Sequence, residues 1–515
     1  MPVATVALVG TRTAKLRKLL IPMLGISIIF LAGCRGLGTD TNPPPPPPPG
    51  DITQIKHIII LAQENRGFEH YFGAMRQYWA ANGFPDQSFD GLPQFNPTSG
   101  AAPLQGPAPT NPGCDPAFPA PGNDCTINAN SPQVESFKMT SMCEENPSPS
   151  WNESHVDWNL HDPLSATATL DGFVWTAGHD ARANGFFDVD GKRAMSYYDG
   201  TDLPYYYFMA SSFGTSDRWF APVMTRTQPN RMFMLAATSA GHVYPLKPGD
   251  PPLPNQTIFD LLQAANVTWK VYVTDLTHAN PPVQNSALNF FATAAKYPDH
   301  IVGVDQYFTD LANGTLPSVA YIEPGYNSGL DEHPGIDDNV PGANIQAGAK
   351  YVSSLIGGPN GLMQSSSWKD SVFIFTFDEF GGFYEHVAPQ TGSFSPSPDG
   401  VKPVDLLQGP PPNGPDICVG NTGPTCDFVY TGYRVPLIVI SPFAKKNYVS
   451  HTPADLTAWL KFVEKRFLSS TSLTARDAAQ MDMTEFFQFD NPPWMTPPTP
   501  PDQPTSGPCY VNQLP

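Results

Sequence analysis

Two apolar segments, each followed by polar side chains, constrain the fold of this chain more than any other feature. They span residues 57–62 and 371–377. The polar side chains just after them are, in order, Glu64, Asn65, Asp378 and Glu379. Short β-branched and aromatic runs of this kind predict buried strands of a parallel sheet. Because open α/β sheets bind ligands at the carboxyl ends of their strands, we expect these four side chains to converge at one sheet edge.

Carboxylate and amide oxygens brought together in this way suit a hard divalent cation. The two pairs lie about 300 residues apart in the chain, so only the sheet could bring them together. The donor set is compatible with several cations, which leaves the identity of the metal open. The alternative interpretation is that each strand simply ends in solvated polar residues.

Strand-like runs alternate with helical stretches along the chain, and this pattern predicts a three-layer α/β/α fold with a mostly parallel central sheet. We expect one catalytic domain at residues 51–467, with a long Pro-, Asn- and Ser-rich insertion at about residues 95–150. Residues 468–515 are Pro-rich and polar, and they predict a C-terminal extension on the surface. Hydrophobic residues make up 40% of the chain, enough for a large core.

The N-terminus has the order of an export signal. Basic residues precede an apolar run at residues 19–31, and Leu-Ala-Gly-Cys ends at Cys34. Residues 1–33 therefore predict a bacterial lipoprotein signal peptide, with Cys34 as the lipidated first residue, although a plain secretory signal is the alternative. Residues 34–50 contain an unbroken proline run and predict an extended tether. We expect an exported protein, held at the bacterial cell envelope by its lipid anchor.

The net charge bears on the class of binding partner, and the cysteine content bears on disulfides and metal sites. The formal net charge of −19 argues against nucleic acid as a partner. Six cysteines besides Cys34 favour disulfides in an exported chain, and spacing suggests two short loops and one long one. The suggested pairs are Cys114–Cys125, Cys418–Cys426 and Cys143–Cys509. A zinc cluster is the rival interpretation, but the chain has no Cys-x-x-Cys pair.

The stretch after the first strand resembles the hallmark of a known family. It reads Glu-Asn-Arg-Gly-Phe-Glu-His-Tyr-Phe-Gly at residues 64–73. This is similar to E-N-R-S-F-D-H-Y-F-G of the bacterial phosphoesterase family, the non-haemolytic phospholipase C and acid phosphatase type, with Gly67 and Glu69 as departures. Further blocks match in order from about residue 55 to 467. The resemblance implies an alkaline-phosphatase-like version of the fold and a metal held by Glu64, Asn65, Asp378 and Glu379.

A second block predicts the nucleophile. Thr227 precedes Pro229 and a buried helical run, so its hydroxyl is placed near free helix N–H groups that suit a phosphoryl group. It occupies the position of the hydroxyl in the family's G-P-T-x-P-N-R motif, in which Thr225 and Arg226 replace Gly and Pro. The resemblance implies that Thr227 binds the metal and attacks phosphorus, and that Asn230 contacts substrate. Thr225 is the fallback nucleophile, and an ordinary helix cap is the structural alternative for Thr227.

Four histidines are candidates for substrate binding or proton transfer. His155 lies in a block similar to the family's H-x-x-W-N, which implies a phosphate contact, although the histidine that often precedes this block is absent. His333, in an acidic-His-Pro element, and His386, after the second strand, are the candidate catalytic residues that would protonate the leaving alcohol. His451 begins a helical stretch and is a further substrate-binding candidate. For His155 and His451, structural roles in packing or capping are the alternatives.

The sequence thus predicts a phosphoric ester hydrolase that needs a divalent metal ion. The favoured reaction is phospholipase C-type cleavage of a phospholipid through a phosphothreonine intermediate. An acid phosphatase acting on small phosphate esters is one alternative. A non-catalytic surface lipoprotein that binds a phosphorylated ligand is the other, motivated by the departures at residues 67, 69, 225 and 226. Membrane contact is expected through the lipid anchor.

Overall fold

A computed structural model describes residues 51–96, 106–276, 286–337, 340–409, 414–420 and 423–515. The predicted signal peptide, Cys34 and the proline tether lie outside the described residues. Residues 49–515 form one compact unit. Across the described ranges, no helix has the length and hydropathy needed to cross a membrane.

The secondary structure alternates between strands and helices, as the sequence predicts. The α-helices of the described residues are α1 (Phe68–Phe72), α2 (Met75–Asn82), α3 (Trp151–Trp158), α4 (Phe173–Asn184), α5 (Pro204–Ser212), α6 (Thr227–Ala236), α7 (Ile258–Ala264), α8 (Thr293–Lys296), α9 (Asp305–Asn313), α10 (Ile345–Ile356), α11 (Ala458–Phe467) and α12 (Ala475–Ala479). The strands are β1 (His57–Gln63), β2 (Thr110–Pro112), β3 (Gln133–Glu135), β4 (Phe137–Lys138), β5 (Ser196–Tyr197), β6 (Gly214–Ser216), β7 (Trp219–Phe220), β8 (Trp269–Val273), β9 (Ile301–Gly303), β10 (Val319–Glu323), β11 (Pro334–Asp337), β12 (Val340–Gly342), β13 (Ser371–Phe377), β14 (Leu437–Ile440), β15 (Tyr448–Ser450) and β16 (Ala454–Asp455).

An eight-stranded sheet forms the centre of the fold, with the order β15-β6-β14-β13-β1-β10-β8-β9. Strands β13, β1, β10, β8 and β9 run parallel to one another, and β14 is antiparallel to both β13 and β6. Strands β1 and β13 pair along their whole length near the middle of the sheet. Both are almost entirely buried, which explains why each is a continuous apolar run and not an alternating one.

Helices cover both faces of the sheet. Phe375 of β13 and Tyr272 of β8 share one face through the pairing register, and they pack against aromatic rings of α5 and α9. Tyr321 of β10 points to the opposite face, where it packs against Phe259 of α7 and Trp459 of α11. The predicted three-layer α/β/α fold with a mostly parallel sheet is therefore confirmed.

The three disulfides pair as the spacing of the cysteines suggests. Cys114–Cys125 and Cys418–Cys426 close short loops, and Cys143–Cys509 joins segments 366 residues apart. The last bond attaches the C-terminal segment to the rest of the fold. That segment is packed and not loose, since Met483 and Phe486 are fully buried.

The strands of the predicted insertion stay outside the eight-stranded sheet. Strands β2 and β3 pair only with each other, and β4 pairs with β5. Near the end of the insertion, four residues line a cavity at the carboxyl end of the central strands: Asn146, Ser148, Pro149 and Ser150. The insertion therefore contributes to the wall of the candidate site.

Candidate active site

The ends of β1 and β13 bring the predicted metal ligands together. Gln63 and Phe377 are paired residues, and the Asp378 backbone N–H donates to the Gln63 carbonyl at 3.1 Å. The chain then turns at Asn65, which has a positive φ of 51°, a conformation that asparagine adopts more readily than most residues. In this turn the Asn65 backbone N–H donates to Asp378 Oδ1 at 3.1 Å. The sheet register thus joins two chain segments that the sequence separates widely.

Thr227 is the first residue of α6, as predicted, and its hydroxyl faces this cluster. Thr227 Oγ1 lies 3.0 Å from Glu64 Oε2 and 3.2 Å from Asn65 Oδ1. The preceding residue, Arg226, gives the helix N-terminus no side-chain cap. The fallback residue, Thr225, is fully buried and its hydroxyl donates to the Val243 carbonyl at 2.7 Å. Of the two threonines, Thr227 is therefore the one whose hydroxyl faces the carboxylate cluster.

Arg231 is a central residue of the site that sequence reasoning did not single out. Its Nη2 donates to Glu64 Oε1 at 2.7 Å, and its Nε donates to Asp378 Oδ2 at 3.0 Å. It is almost completely buried, so these charge-assisted bonds are shielded from water. The signal was present in the sequence, because Arg231 follows Thr227 by four residues and must share its helix face.

The carboxylates of this cluster fit a divalent cation. Glu379 is fully buried, and its Oε1 has no hydrogen-bond partner in the described residues. Burial and the charge of Asp378 hold the pKa of Glu379 well above its ordinary value, and burial and Glu64 do the same for the pKa of Asp378. The hydroxyl of Thr227 has one proton but faces two acceptor oxygens. A surplus of buried negative charge and acceptors is what a bound cation would relieve.

A second acidic cluster has a different character. Among the described residues, ligand atoms of Glu69, Glu385 and His386 lie within 4.8 Å of one another. Arg434 already supplies a cation there, since its Nη2 donates to Glu69 Oε1 at 2.6 Å and to Glu385 Oε1 at 2.5 Å. We define these four residues as the Arg434 cluster. The Arg434 cluster is an ion-pair network that contains its own buried positive charge. Glu379, in contrast, has a carboxylate oxygen with no hydrogen-bond partner in the described residues.

The position of His386 corrects its predicted catalytic role. Its Nδ1 contacts Glu69 and its Nε2 lies 3.1 Å from Asp90 Oδ1. Burial lowers the pKa of His386, but the Glu69 charge and the Asp90 hydrogen bond outweigh burial and raise it to about 10. Both ring nitrogens are thus engaged by the carboxylates of Glu69 and Asp90, so His386 belongs to the ion pairs of the Arg434 cluster.

His333 lies beside Thr227, as expected. Its Nε2 is 3.1 Å from Asn65 Nδ2, and its Nδ1 faces the Pro334 carbonyl. A carbonyl can only accept, so Nδ1 carries the proton and Nε2 accepts from Asn65 Nδ2. Burial lowers the pKa of His333, which favours this neutral form.

Two cavities meet at His333. The first, which we call the Thr227 cavity, has a volume of about 430 Å³ and is lined by residues that include Asn65, Ser150, Asp180, Arg226, Thr227 and His333. The second, the Asp331 cavity, has a similar volume of about 430 Å³, and its lining includes Glu64, Tyr326, Asn327, Asp331, His333 and Pro334. Burial and the Glu64 charge raise the pKa of Asp331 to about 7. The candidate nucleophile therefore opens onto space for substituents of a substrate.

The structure corrects the predicted role of His155. Its ring is fully buried against Trp151, and its nitrogens lie 2.6 Å from the Trp151 carbonyl and 3.0 Å from the Thr425 carbonyl. Both nitrogens are committed to the backbone, so the residue joins α3 to the loop at Thr425 and has no free group for substrate. The order of motifs alone had suggested the phosphate contact.

The side chains of Asn230 and His451, both predicted to contact substrate, make hydrogen bonds within the protein. The Asn230 side chain accepts from Val223 N–H at 3.0 Å and donates to the carbonyl of Thr225 at 2.7 Å, so it fixes the loop that carries Thr227. His451 Nδ1 lies 2.9 Å from each carboxylate oxygen of Asp217, outside the lining of both cavities. Asn230 is thus a positioning residue, and His451 is an ion-pair partner.

A hydroxyl at a helix N-terminus that faces carboxylates suited to a metal defines a site for nucleophilic attack on a phosphoryl group. A family model described as Phosphoesterase family matches residues 55–468. The chain therefore belongs to this family, and it is a phosphoric ester hydrolase. The family resemblance read from the sequence is confirmed.

Individual relatives agree with this assignment. Phospholipase C B of Mycobacterium tuberculosis is 29% identical over 465 residues, which cover 86% of this chain and 80% of the relative. Non-specific phospholipase C1 of Arabidopsis thaliana is 31% identical over 335 residues, which cover 61% of this chain and 57% of the relative.

Among solved structures, a protein in the alkaline phosphatase superfamily from Vibrio parahaemolyticus aligns over 80% of this chain and 78% of its own length. The identity is 12% and the TM-score is 0.30. This similarity is too low to support an inference, so the fold class rests on the sheet and layers described above.

Proposed function

We propose that this protein is a metal-dependent phosphoesterase that cleaves phospholipids by a phospholipase C-type reaction through a phosphothreonine at Thr227. The observation that carries the proposal is the position of Thr227 Oγ1, 3.0 Å from Glu64 and 3.2 Å from Asn65 at the N-terminus of α6. The relatives named as phospholipases C support the same reaction class.

The first step forms the bond between Thr227 Oγ1 and phosphorus while the bond from phosphorus to the alcohol oxygen breaks. Glu64 accepts the hydrogen bond of the Thr227 hydroxyl, so it is the nearest base for that proton. The departing alcohol oxygen takes up the proton that Glu64 received from the Thr227 hydroxyl, which keeps the step balanced. A divalent cation held by Glu64, Asn65, Asp378 and Glu379 would supply activation of the hydroxyl and offset the phosphoryl charge.

The second step releases the phosphoryl group to water. The neutral His333 ring has its acceptor nitrogen, Nε2, in a hydrogen bond from Asn65 Nδ2, and it would take the proton of the attacking water in exchange for this bond. Water oxygen bonds to phosphorus as the bond to Thr227 Oγ1 breaks, and the hydroxyl regains a proton. Arg231 holds Glu64 and Asp378 in place throughout, because it donates to both carboxylates.

A phosphodiester is favoured over a phosphomonoester because two cavities meet at the site. A diester has a substituent on each side of phosphorus, and the Thr227 cavity and the Asp331 cavity provide about 430 Å³ each. The polar Thr227 cavity suits a headgroup. The Asp331 cavity, with Tyr326 and Pro334 in its lining, suits the leaving alcohol.

The test compares hydrolysis of bis(p-nitrophenyl) phosphate and p-nitrophenyl phosphate by the purified full-length protein, with and without a chelator. We expect at least tenfold higher kcat/KM for the diester and loss of turnover on chelation. A preference for the monoester would instead identify an acid phosphatase. Metal binding without turnover of either ester would identify a phosphate-ligand-binding lipoprotein.

We also propose that the protein is exported and anchored to a membrane of the bacterial cell envelope through lipid on Cys34. The motif Leu-Ala-Gly-Cys after an apolar run supports this proposal. Expression of the full chain and of Cys34→Ser in a bacterial host, with a fatty-acid label, tests it. We expect label on the parent protein alone, and equal labelling of both would contradict the assignment of Cys34.

A further inference from the structure

The Thr227 cavity contains one charged side chain of each sign. Arg226 directly precedes Thr227, and Asp180 lies on α4. The cavity is otherwise lined mainly by neutral polar groups, including Asn146, Ser148 and Asn184. A substrate whose phosphorus lies at Thr227 would therefore have the Arg226 guanidinium next to its phosphoryl group. The rest of the substrate would lie near the Asp180 carboxylate and the neutral polar side chains.

Arg226 is suited to the phosphoryl oxygens. Its Nη2 donates to Ser150 Oγ, which fixes the guanidinium in the cavity wall. Its Nε is buried and has no hydrogen-bond partner in the described part of the chain. A guanidinium with unused donors next to the nucleophile can donate to an anionic phosphoryl group.

Among the described residues, no cationic side chain forms an ion pair with the Asp180 carboxylate. Its Oδ1 accepts from Asn184 Nδ2 at 3.0 Å, and no donor among the described residues reaches Oδ2. Glu153, on the adjacent helix α3, adds a second negative charge nearby. Burial raises the pKa of Asp180, and the positive charges of Arg193, His179 and Arg226 only partly oppose this. A cation from a ligand would therefore be stabilised there.

We propose that the Thr227 cavity is a subsite for a phosphoryl group esterified to a short alcohol with a primary ammonium, a 2-aminoethyl phosphoryl group. Arg226 binds the phosphoryl oxygens, and Asp180 binds the ammonium with help from the neutral polar side chains around it. The inference deepens the proposed function and rests on it, since the phosphoryl group is the one that Thr227 attacks.

A primary ammonium fits this lining better than a quaternary one. The ammonium carries three N–H donors, and Asp180 and the amide and hydroxyl oxygens of the cavity are acceptors. A quaternary ammonium has no donor and is bound by several aromatic faces. Phe186 is the single aromatic side chain in the lining of this cavity among the described residues. The cavity therefore selects by hydrogen bonding to the headgroup.

The test compares the p-nitrophenyl esters of phosphorylethanolamine and phosphorylcholine in the full-length protein. We expect kcat/KM to favour the ethanolamine ester at least tenfold, and Asp180→Asn to lower this ratio at least tenfold. The control is Asp482→Asn, which removes one charge from a surface ion pair with Lys465, outside the lining of both cavities, and should leave the ratio unchanged. A preference for choline, or an unchanged ratio in Asp180→Asn, would overturn the proposal.

A third substrate separates this inference from the proposed function. Bis(p-nitrophenyl) phosphate has no ammonium, so its turnover reports the phosphodiesterase reaction alone. If it is hydrolysed while the ethanolamine and choline esters react equally, the headgroup subsite is wrong and the proposed function stands. If no ester is hydrolysed, the proposed function fails with it.

The 2-aminoethyl phosphoryl group has two sources, a phospholipid headgroup and free phosphoethanolamine. Vesicles of phosphatidylethanolamine should yield diacylglycerol and phosphoethanolamine, whereas the free monoester would yield ethanolamine and phosphate. Turnover of phosphatidylethanolamine in preference to phosphatidylcholine supports the subsite and identifies the lipid as the source. Preferred turnover of free phosphoethanolamine would make ethanolamine the leaving alcohol, on the side of phosphorus opposite Thr227, and would contradict the subsite. Equal rates for the ethanolamine and choline compounds in both arms would contradict it.

Discussion

Replacing Glu379 by Gln should stabilise the metal-free protein while weakening its response to a divalent cation. Glu379 is fully buried, its Oε1 is unpartnered, and burial together with Asp378 raises its pKa well above the ordinary value. Folding therefore costs free energy when the unfolded chain carries an ionised carboxylate. Glutamine keeps the shape of the side chain and removes this cost.

The magnitude follows from proton linkage. The pKa of Glu379 is raised in the folded protein above the value of 4.5 expected for the unfolded chain. Its protonated form therefore favours the folded state, and this contribution to the free energy of unfolding is complete below pH 4.5 and is lost as the pH rises. At pH 7, the difference of about 2.5 pH units at about 1.4 kcal/mol each sets an upper limit of about 3.5 kcal/mol for the stabilisation by Glu379→Gln. The gain should shrink towards zero near pH 4.5, because Glu is then protonated in both states.

The metal response should change in the opposite direction. A cation at 100 times its Kd stabilises the folded protein by about 2.7 kcal/mol, and a 100-fold weaker affinity would reduce this to about 0.4 kcal/mol. Denaturant unfolding at pH 7, with chelator and then with excess Mg²⁺, Mn²⁺, Ca²⁺ or Zn²⁺, measures both effects. Destabilisation of the chelated Glu379→Gln variant, or a metal shift equal to that of the parent, would refute the reasoning.

The Arg434 cluster supplies the matched control. Glu385 accepts two hydrogen bonds from Arg434 at 2.5 and 2.8 Å in a buried ion pair. Glu385→Gln should therefore destabilise the protein by up to about 3–5 kcal/mol, because a buried cation loses a charged partner. The metal shift should stay at the parent value. A metal shift lost in Glu385→Gln and kept in Glu379→Gln would place the cation in the Arg434 cluster.

Two further changes test the support of the site and of the core. Asn230→Ala removes the acceptor for Val223 N–H and the donor to the Thr225 carbonyl. It should lower kcat by about 10- to 100-fold in steady-state assays, more than it changes KM, since Thr227 is displaced. Burial and Asp477 raise the pKa of Glu464 to about 9, so stability should fall from pH 4.5 to 9. Glu464→Gln should remove about 1.4 kcal/mol per pH unit of that slope in thermal unfolding, and an unchanged slope would contradict this.

The central geometry could be predicted because it depends on strand ends and a helix start. Glu64 and Asp378 follow two strands whose apolar runs are evident in the sequence, and a parallel register brings such ends together. Thr227 precedes Pro229, which marks a first helical turn. These signals are local in the sequence, so the positions of these residues at strand ends and at a helix start could be predicted from the sequence alone.

The separate roles of His333 and His386 could not be predicted, because they depend on contacts between residues that are distant in the sequence. His333 follows Glu332, whose buried carboxylate accepts from Tyr71 at 2.7 Å and so anchors the loop at the site. His386 is held by Glu69, a residue noted in the sequence only as a departure from the family motif. No sequence pattern indicates that Arg434 joins that pair.

The roles of His155 and Asn230 were predicted from their place in motifs, and the structure gives both a supporting role. A motif preserves a residue for its position in the fold as readily as for contact with substrate. The hydrogen bonds of His155 to two backbone carbonyls could not be inferred without the path of the loop at Thr425.

The central claim is that the Thr227 hydroxyl attacks phosphorus, and trapping of the intermediate tests it most directly. Full-length protein is mixed with bis(p-nitrophenyl) phosphate, quenched in acid during turnover and digested for mass spectrometry. We expect the phosphoryl adduct on Thr227, and we expect Thr227→Ala to lose both adduct and turnover while it still binds metal. Turnover by Thr227→Ala at the parent rate, or an adduct on Thr225 instead, would contradict the mechanism.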